Sequence, residues 1–224
     1  MSPKLYKYLP YQLAHAFLSN GEAWFRSLSY FIACEQMHRG DDLEGTRVYA
    51  PSVGLEIRKN SGERLNGLGW SFRSSMKALD EIFVYCTSTV LSADLAREFE
   101  SDACVEIADI EKFVARLRTA ARRRPRVKLE TLRQGHVTCY CTDQPPEEVW
   151  ALPDLIVMHK PQRFAYQCEY RFVISKRADA YDFENVNLTL VRGEVGKLPI
   201  VKHEAAPLKL KLGDMSDCCR VHRL

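Results

Sequence analysis

Apolar positions alternate with polar ones over Leu5–Leu9, the spacing of a half-buried strand. Pro10 then opens a helix whose Leu13, Ala14, Phe17 and Leu18 share one face, and Asn20-Gly21 closes it, because both residues tolerate a left-handed backbone. Glu22 to Leu28 reads as a second strand. Ser29 to Leu79 is less regular. Strand-like runs stand at Arg47–Tyr49, Leu55–Arg58 and Gly69–Arg73, with turns marked by Gly62 and Asn66-Gly67. Glu81 to Val90 contains a continuous apolar run, Ile82 to Tyr85, and is expected at the centre of a sheet. Ser92 caps a short helix reaching about Glu100, and Ala103 to Ile107 is a further strand. Asp109 caps a longer helix with Ile110, Phe113, Val114 and Leu117 as its stripe, ending before Pro125. Val127 to Cys141 reads as a long strand, or a hairpin interrupted at Gln134-Gly135. Pro145-Pro146 breaks the pattern, and Val149 to Met158 fits helix or strand equally. A strand holding Glu169 follows, then Leu188–Val191 and Leu208–Leu212. The expectation is a single α+β domain spanning residues 1–224, with a mostly antiparallel or mixed core sheet and peripheral helices.

Composition changes this picture little. The 224 residues are 46% apolar and 27% charged, ordinary values for a globular protein. No apolar run approaches the ~18 residues of a membrane span. The N-terminus lacks the apolar core of a secretory signal, so a cytoplasmic protein is expected. The eight cysteines therefore read as reduced thiols, and neither Cys139-x-Cys141 nor Cys218-Cys219 has zinc-knuckle spacing. No residue is assigned to a metal.

Candidate chemistry concentrates in Gln167-Cys168-Glu169-Tyr170-Arg171-Phe172. A carboxylate opening an otherwise apolar strand is paired with a cation or placed for chemistry. On an extended backbone, Gln167 and Glu169 point to one face and converge on one ligand. In the plainer alternative, Glu169 pairs with a buried arginine and Gln167 faces water. The net charge is only +3, but Arg116, Arg118, Arg122, Arg123, Arg124, Arg126 and Lys128 follow one another with no acid between them. Helix-dipole compensation accounts for the first few, whereas Arg122, Arg123, Arg124 and Arg126 suit a polyanion such as nucleic acid.

Two blocks carry a resemblance: Leu5-Tyr6-Lys7-Tyr8 with Gly21-Glu22-Ala23-Trp24-Phe25-Arg26-Ser27, and Phe164 to Phe172. Together they resemble a prokaryotic and phage family of unknown function that opens on a tyrosine-rich strand and closes on a glutamate-tyrosine-arginine strand. Ile32-Ala33-Cys34-Glu35 stands where that family carries an Asn-Asp-Pro-like segment. The layout is also similar to the ADP-ribosyltransferase fold. That resemblance implies NAD as co-substrate, Glu169 and Gln167 as the catalytic pair, and Lys7 at the position of a first-strand His or Arg. Ser27 or Tyr30 would hold the second-strand position, and Arg39 or Arg47 would bind pyrophosphate. Tyr6, Tyr8, Trp24 or Phe25 would stack the nicotinamide, and Thr87-Ser88-Thr89 would match a Ser-Thr-Ser element.

Two principal functions are thus expected. One is an NAD-dependent ADP-ribosyltransferase, a toxin or phage-defence effector modifying nucleic acid, with an antitoxin or other protein as partner. The other is a non-catalytic domain that binds nucleic acid or a protein. A third, a metal-dependent nuclease, would use Asp102, Glu106 and Glu169.

Overall fold

The computed structural model describes residues 4–34, 40–145, 152–193 and 205–224. In chain order its elements are β1 (Leu5–Leu9), α1 (Tyr11–Asn20), β2 (Glu22–Ser27), α2 (Leu28–Ala33), β3 (Thr46–Tyr49), β4 (Leu55–Arg58), β5 (Arg64–Gly67), β6 (Trp70–Met76) and β7 (Ile82–Ser88). There follow α3 (Ala93–Glu98), β8 (Ala103–Ile107), α4 (Ile110–Arg122), β9 (Lys128–His136), β10 (Thr138–Tyr140), α5 (Pro153–Ile156), β11 (His159–Pro161), β12 (Glu169–Ser175), β13 (Val186–Arg192), β14 (Leu208–Lys211) and β15 (Cys219–Arg223). Single 3-10 turns precede β12 (Gln162–Gln167) and β13 (Phe183–Asn185). The class is α+β, and among the described residues every strand pair is antiparallel except β10–β11.

The principal sheet is organised around β7. One edge of β7 pairs along its whole length with β12, from Ile82↔Ser175 to Ser88↔Glu169. The other edge is shared: β2 pairs at Phe83 and Val84, and β1 pairs at Ser88. The sheet therefore forks, with β2–β14 as one arm and β1–β8–β15 as the other. Strand alternation sends Phe83 and Tyr85, with Phe172 and Ile174, to one face, where Phe17 of α1 and Phe113 and Leu117 of α4 complete the main core. Ile82, Val84 and Val173 point the other way, against Leu28, Met76 and Ile156. On that side lies the second sheet, β13–β6–β3. Both faces of β12 are covered, so its polar residues Glu169, Arg171 and Ser175, which alternate with the apolar face, are buried rather than solvated.

The caps read from sequence are present. Ser92 Oγ accepts from the backbone N–H of Asp94 and Leu95, and Asp109 Oδ1 from that of Lys112. Two open alternatives are decided and one turn assignment needs correction. The 128–136 strand runs unbroken through Gly135, which lies opposite Arg171 in the β9–β12 ladder, so Gln134-Gly135 is no turn. Asn66-Gly67 ends β5 as paired strand, and the positive φ belongs to Gly69. Residues 153–156 form a short helix, while 149–151 lie outside the described residues. The pattern also missed β15, whose Val221 is its sole strongly apolar residue and which pairs with β8 throughout.

Gly21 fixes the join between α1 and β2. Its φ is +61°, and a Cβ there would stand 2.2 Å from the Gly213 carbonyl oxygen. Both backbone and space therefore demand glycine. Gly21→Ala is expected to cost more than about 1 kcal/mol in urea unfolding; an unchanged midpoint would show that residues 212–213 do not pack there.

Candidate functional site

Cys168 adopts a left-handed conformation, φ 44°, between the 3-10 turn and β12. Gln167 and Glu169 thus do not share an extended backbone, and the one-face argument from Gln-x-Glu spacing fails. The bend is pinned by the three hydroxyls of residues 87–89. Thr87 donates to the Tyr170 carbonyl (2.9 Å), Ser88 to that of Gln167 (2.8 Å) and Thr89 to that of Cys168 (3.2 Å). These side chains hold backbone in place.

The two polar side chains nevertheless meet, and what they meet is a cation of the chain itself. Lys160 Nζ lies 2.8 Å from Glu169 Oε2 and donates to Gln167 Oε1 at 3.2 Å. The other carboxylate oxygen, Oε1, accepts from Arg171 Nε at 2.6 Å. Arg171 is fully buried. It donates from Nη1 and Nη2 to both oxygens of Glu44 (2.7 and 2.8 Å) and to the Val157 carbonyl (2.6 Å). Burial alone would raise the Glu169 pKa, but Arg171 and Lys160 outweigh it and hold the carboxyl well below the usual carboxylate range. Glu169 is 7% exposed and Gln167 5%. Glu169 is therefore no unengaged acid at the mouth of a crevice, and Gln167 does not face water.

Asp41 lies beside this network. Burial and the neighbouring Glu44 push its pKa up to about 6 against the pull of Lys160. Its Oδ1 accepts from the Leu43 N–H, and Arg163 stands 3.7 Å away.

The other expected residues fall in separate places. Ser88 lies opposite both Tyr6 and Glu169, so the first strand and the glutamate strand do come together. Glu169, Ser88, Tyr6 and Glu106 form one row across β12, β7, β1 and β8 on the same face, with roughly 5 Å between strands. Tyr8 donates to the Val90 carbonyl, accepts from Ser92 N–H and packs against Phe99. Lys7 points to the opposite face. Its ammonium sits in the fork, donating to the Cys86 carbonyl (2.8 Å) over the Tyr85 ring. It thus supplies a donor where β7 has neither β1 nor β2 beside it. Ser27 is the buried N-cap of α2, accepting from Tyr30 N–H. Phe25 belongs to the main core. Arg47 is buried over the Tyr140 ring, and Arg39 lies outside the described residues.

Asp102 caps the start of α1 through the Tyr11 N–H, and Glu106 is engaged by Lys4 and His222 (both 2.9 Å). Asp102, Glu106 and Glu169 hence do not share an ion, and no group of three metal-ligating side chains occurs among the described residues. All eight cysteines are free, and burial pushes the Cys86 thiol up to about 12.

A second candidate lies at the β14 edge. Arg122, Arg123, Arg124 and Arg126 are all exposed at the end of α4, and no acid partner for them is found among the described residues. Arg116, earlier in the helix, pairs with Asp217. Arg124 Nη2 donates to the Lys209 carbonyl (3.1 Å), joining the helix end to β14. Lys209 lies opposite Trp24, its ammonium 3.7 Å from the ring centroid. Arg26 flanks Trp24 at 5.8 Å and stacks on Tyr30 at 4.4 Å. Trp24 is 43% exposed. Basic side chains thus flank both sides of the β14 edge: the arginines on the face that α4 covers, and Lys209 with exposed Trp24 on the other. A cavity of about 470 Å³, lined by Ser52, Tyr140, Cys141 and Arg163 among others, contains none of the residues expected to bind a cofactor.

Comparison with protein-family models, curated proteins and solved structures finds no match for this chain.

Lys160, Glu44 and Asp41 escaped sequence reasoning. Lys160, on β11, stands beside Pro161 in a stretch whose sequence gives no sign of burial, and Glu44 in a run of acids and glycines that reads as solvated. Glu169→Ala leaves buried Lys160 without a carboxylate and takes one from Arg171, and is expected to cost about 3–5 kcal/mol in urea unfolding at pH 7; a loss under about 1 kcal/mol would contradict the pairing. The pH dependence has two opposed parts. The depressed Glu169 pKa gives stability that is present above about 4.5 and lost as pH falls below it. The raised Asp41 pKa works in reverse: its contribution is complete below 3.8 and lost as pH rises through about 6. Relative to Asp41→Asn, the wild type should lose stability between pH 4 and pH 6; parallel urea midpoints would refute this.

Proposed function

We propose that this protein binds nucleic acid through the surface formed by the end of α4, the β14 edge and Trp24. The observation that carries this reading is the cluster of exposed Arg122, Arg123, Arg124 and Arg126, joined through Arg124 to the edge strand whose Lys209 lies over exposed Trp24 on the other face. Closely spaced arginines without acidic partners repel one another, and phosphates relieve that repulsion while releasing condensed counterions. An exposed indole among cations offers a stacking face for an unpaired base, as in single-strand binding surfaces.

Four phosphate contacts on a single strand give a salt slope near −0.7 per contact, so raising salt from 50 to 200 mM should weaken binding about 50-fold. Fluorescence anisotropy with a labelled single-stranded oligonucleotide measures this. Reversing Arg122, Arg123 and Arg124 to glutamate should abolish binding, and Trp24→Ala should weaken it roughly five- to 150-fold. Affinity unchanged by the charge reversal would remove the reading.

A second reading is ADP-ribosyl transfer from NAD to nucleic acid, by a toxin or phage-defence effector of ADP-ribosyltransferase-like fold. It is favoured by the forked sheet and by the meeting of Tyr6 and Glu169 across Ser88. In that chemistry nicotinamide leaves the ribose, positive charge builds on the sugar, and a carboxylate opposes it while the acceptor's nucleophile attacks and sheds its proton. Glu169 would first have to exchange Lys160 or Arg171 for the sugar. Labelled NAD offered with RNA, DNA and protein, to wild type and Glu169→Gln, tests it. Absence of label transfer and of NAD turnover would eliminate it.

A further inference from the structure

We infer that this protein self-associates by pairing β13 with β13 of a second copy across a two-fold axis. β13 is seven residues long, and among the described residues it pairs on one edge alone, with β6 from Val186↔Met76 to Arg192↔Trp70. Among the described residues no strand pairs with its other edge, and residues 187–190 are all exposed. Leu188 and Leu190 are 62% and 49% exposed, and Phe183 in the turn before the strand is 61% exposed. Edge strands are commonly protected by lysine, proline or inward charge. Val-Asn-Leu-Thr-Leu-Val-Arg has none of these except a terminal arginine.

The sequence of this edge selects its own copy as occupant. Antiparallel pairing centred on Thr189 sets Leu188 against Leu190 of the second copy, twice by symmetry, and Asn187 against Val191. The apolar pair lies on one face and the polar centre on the other. Arg192, opposite Val186 of the second copy, then comes beside the turn bearing exposed Asp182 and Glu184. Cross-strand leucine pairs and opposite charges both favour this register. The two three-stranded sheets would merge into one of six strands. A strand-edge contact of this length is smaller than a standard interface, so a concentration-dependent dimer is expected. The inference is independent of nucleic-acid binding.

Light scattering on the full chain from 1 to 200 μM tests it, with the circular dichroism melt as the folding control. Wild type should pass from 25.7 kDa to twice that mass. Leu188→Lys with Leu190→Lys should stay monomeric and folded, its dimerisation weakened more than tenfold. Leu188→Glu with Leu190→Glu should also be monomeric alone, and an equimolar mixture of the two variants should recover the dimer. A wild type that is monomeric throughout, a lysine variant that dimerises normally, or a mixture that fails to recover would each overturn the inference.

Discussion

A guanidinium with no exposure to solvent constrains everything around it. Arg171 must find acceptors for its donors inside the protein, because water cannot supply them. It finds Glu169 on its own strand, Glu44 just before the second sheet, and the Val157 carbonyl at the end of α5. Glu44 is 127 residues away in sequence, so this pairing is a long-range tie. The residue thereby ties the principal sheet to the layer covering it. Glu169 extends the chain of charge to Lys160, so two cations and two carboxylates alternate through the interior. Such networks add little net stability against an apolar alternative, yet losing one member is costly. Their geometry favours one arrangement of the two layers over others, since a shifted layer would leave charges unpaired.

This constraint also directs the functional argument. An acid that stabilises a developing cation must be able to face it. Both oxygens of Glu169 face cations of the chain, and the Gln167 amide oxygen is turned to Lys160 as well. Lys7 is likewise occupied, completing the fork in the sheet. The surface arginines differ in kind. They are exposed and close together, and Arg124 joins them to the edge strand whose Lys209 lies over Trp24. Charge neutralised inside and charge left over outside divide the molecule into a structural interior and a basic surface.

Much of the fold was legible because local signals and burial agree. The pattern of β1, α1 and β2, the caps of α3 and α4, and the central place of β7 all follow from apolar periodicity and short polar side chains. The failures have physical causes. β15 has too few apolar residues to announce itself, because pairing with β8 rather than side-chain burial defines most of it. Gly135 signals a turn in isolation, but in the ladder it fits beneath Met158. The site was half legible. Alternation correctly placed Glu169 at the head of a strand and suggested a convergence with Gln167. A left-handed Cys168 is unusual for a residue with a side chain, so period-two reasoning broke one residue too early. Lys160 could not be found from spacing, since its burial depends on β11 folding against the 3-10 turn.

The most direct test of this account is a double-mutant cycle between Glu169→Gln and Lys160→Met, measured by urea unfolding at pH 7. Coupling of about 1–3 kcal/mol is expected for two buried charges in contact. Additive losses, with coupling near zero, would mean that the carboxylate is not held by Lys160.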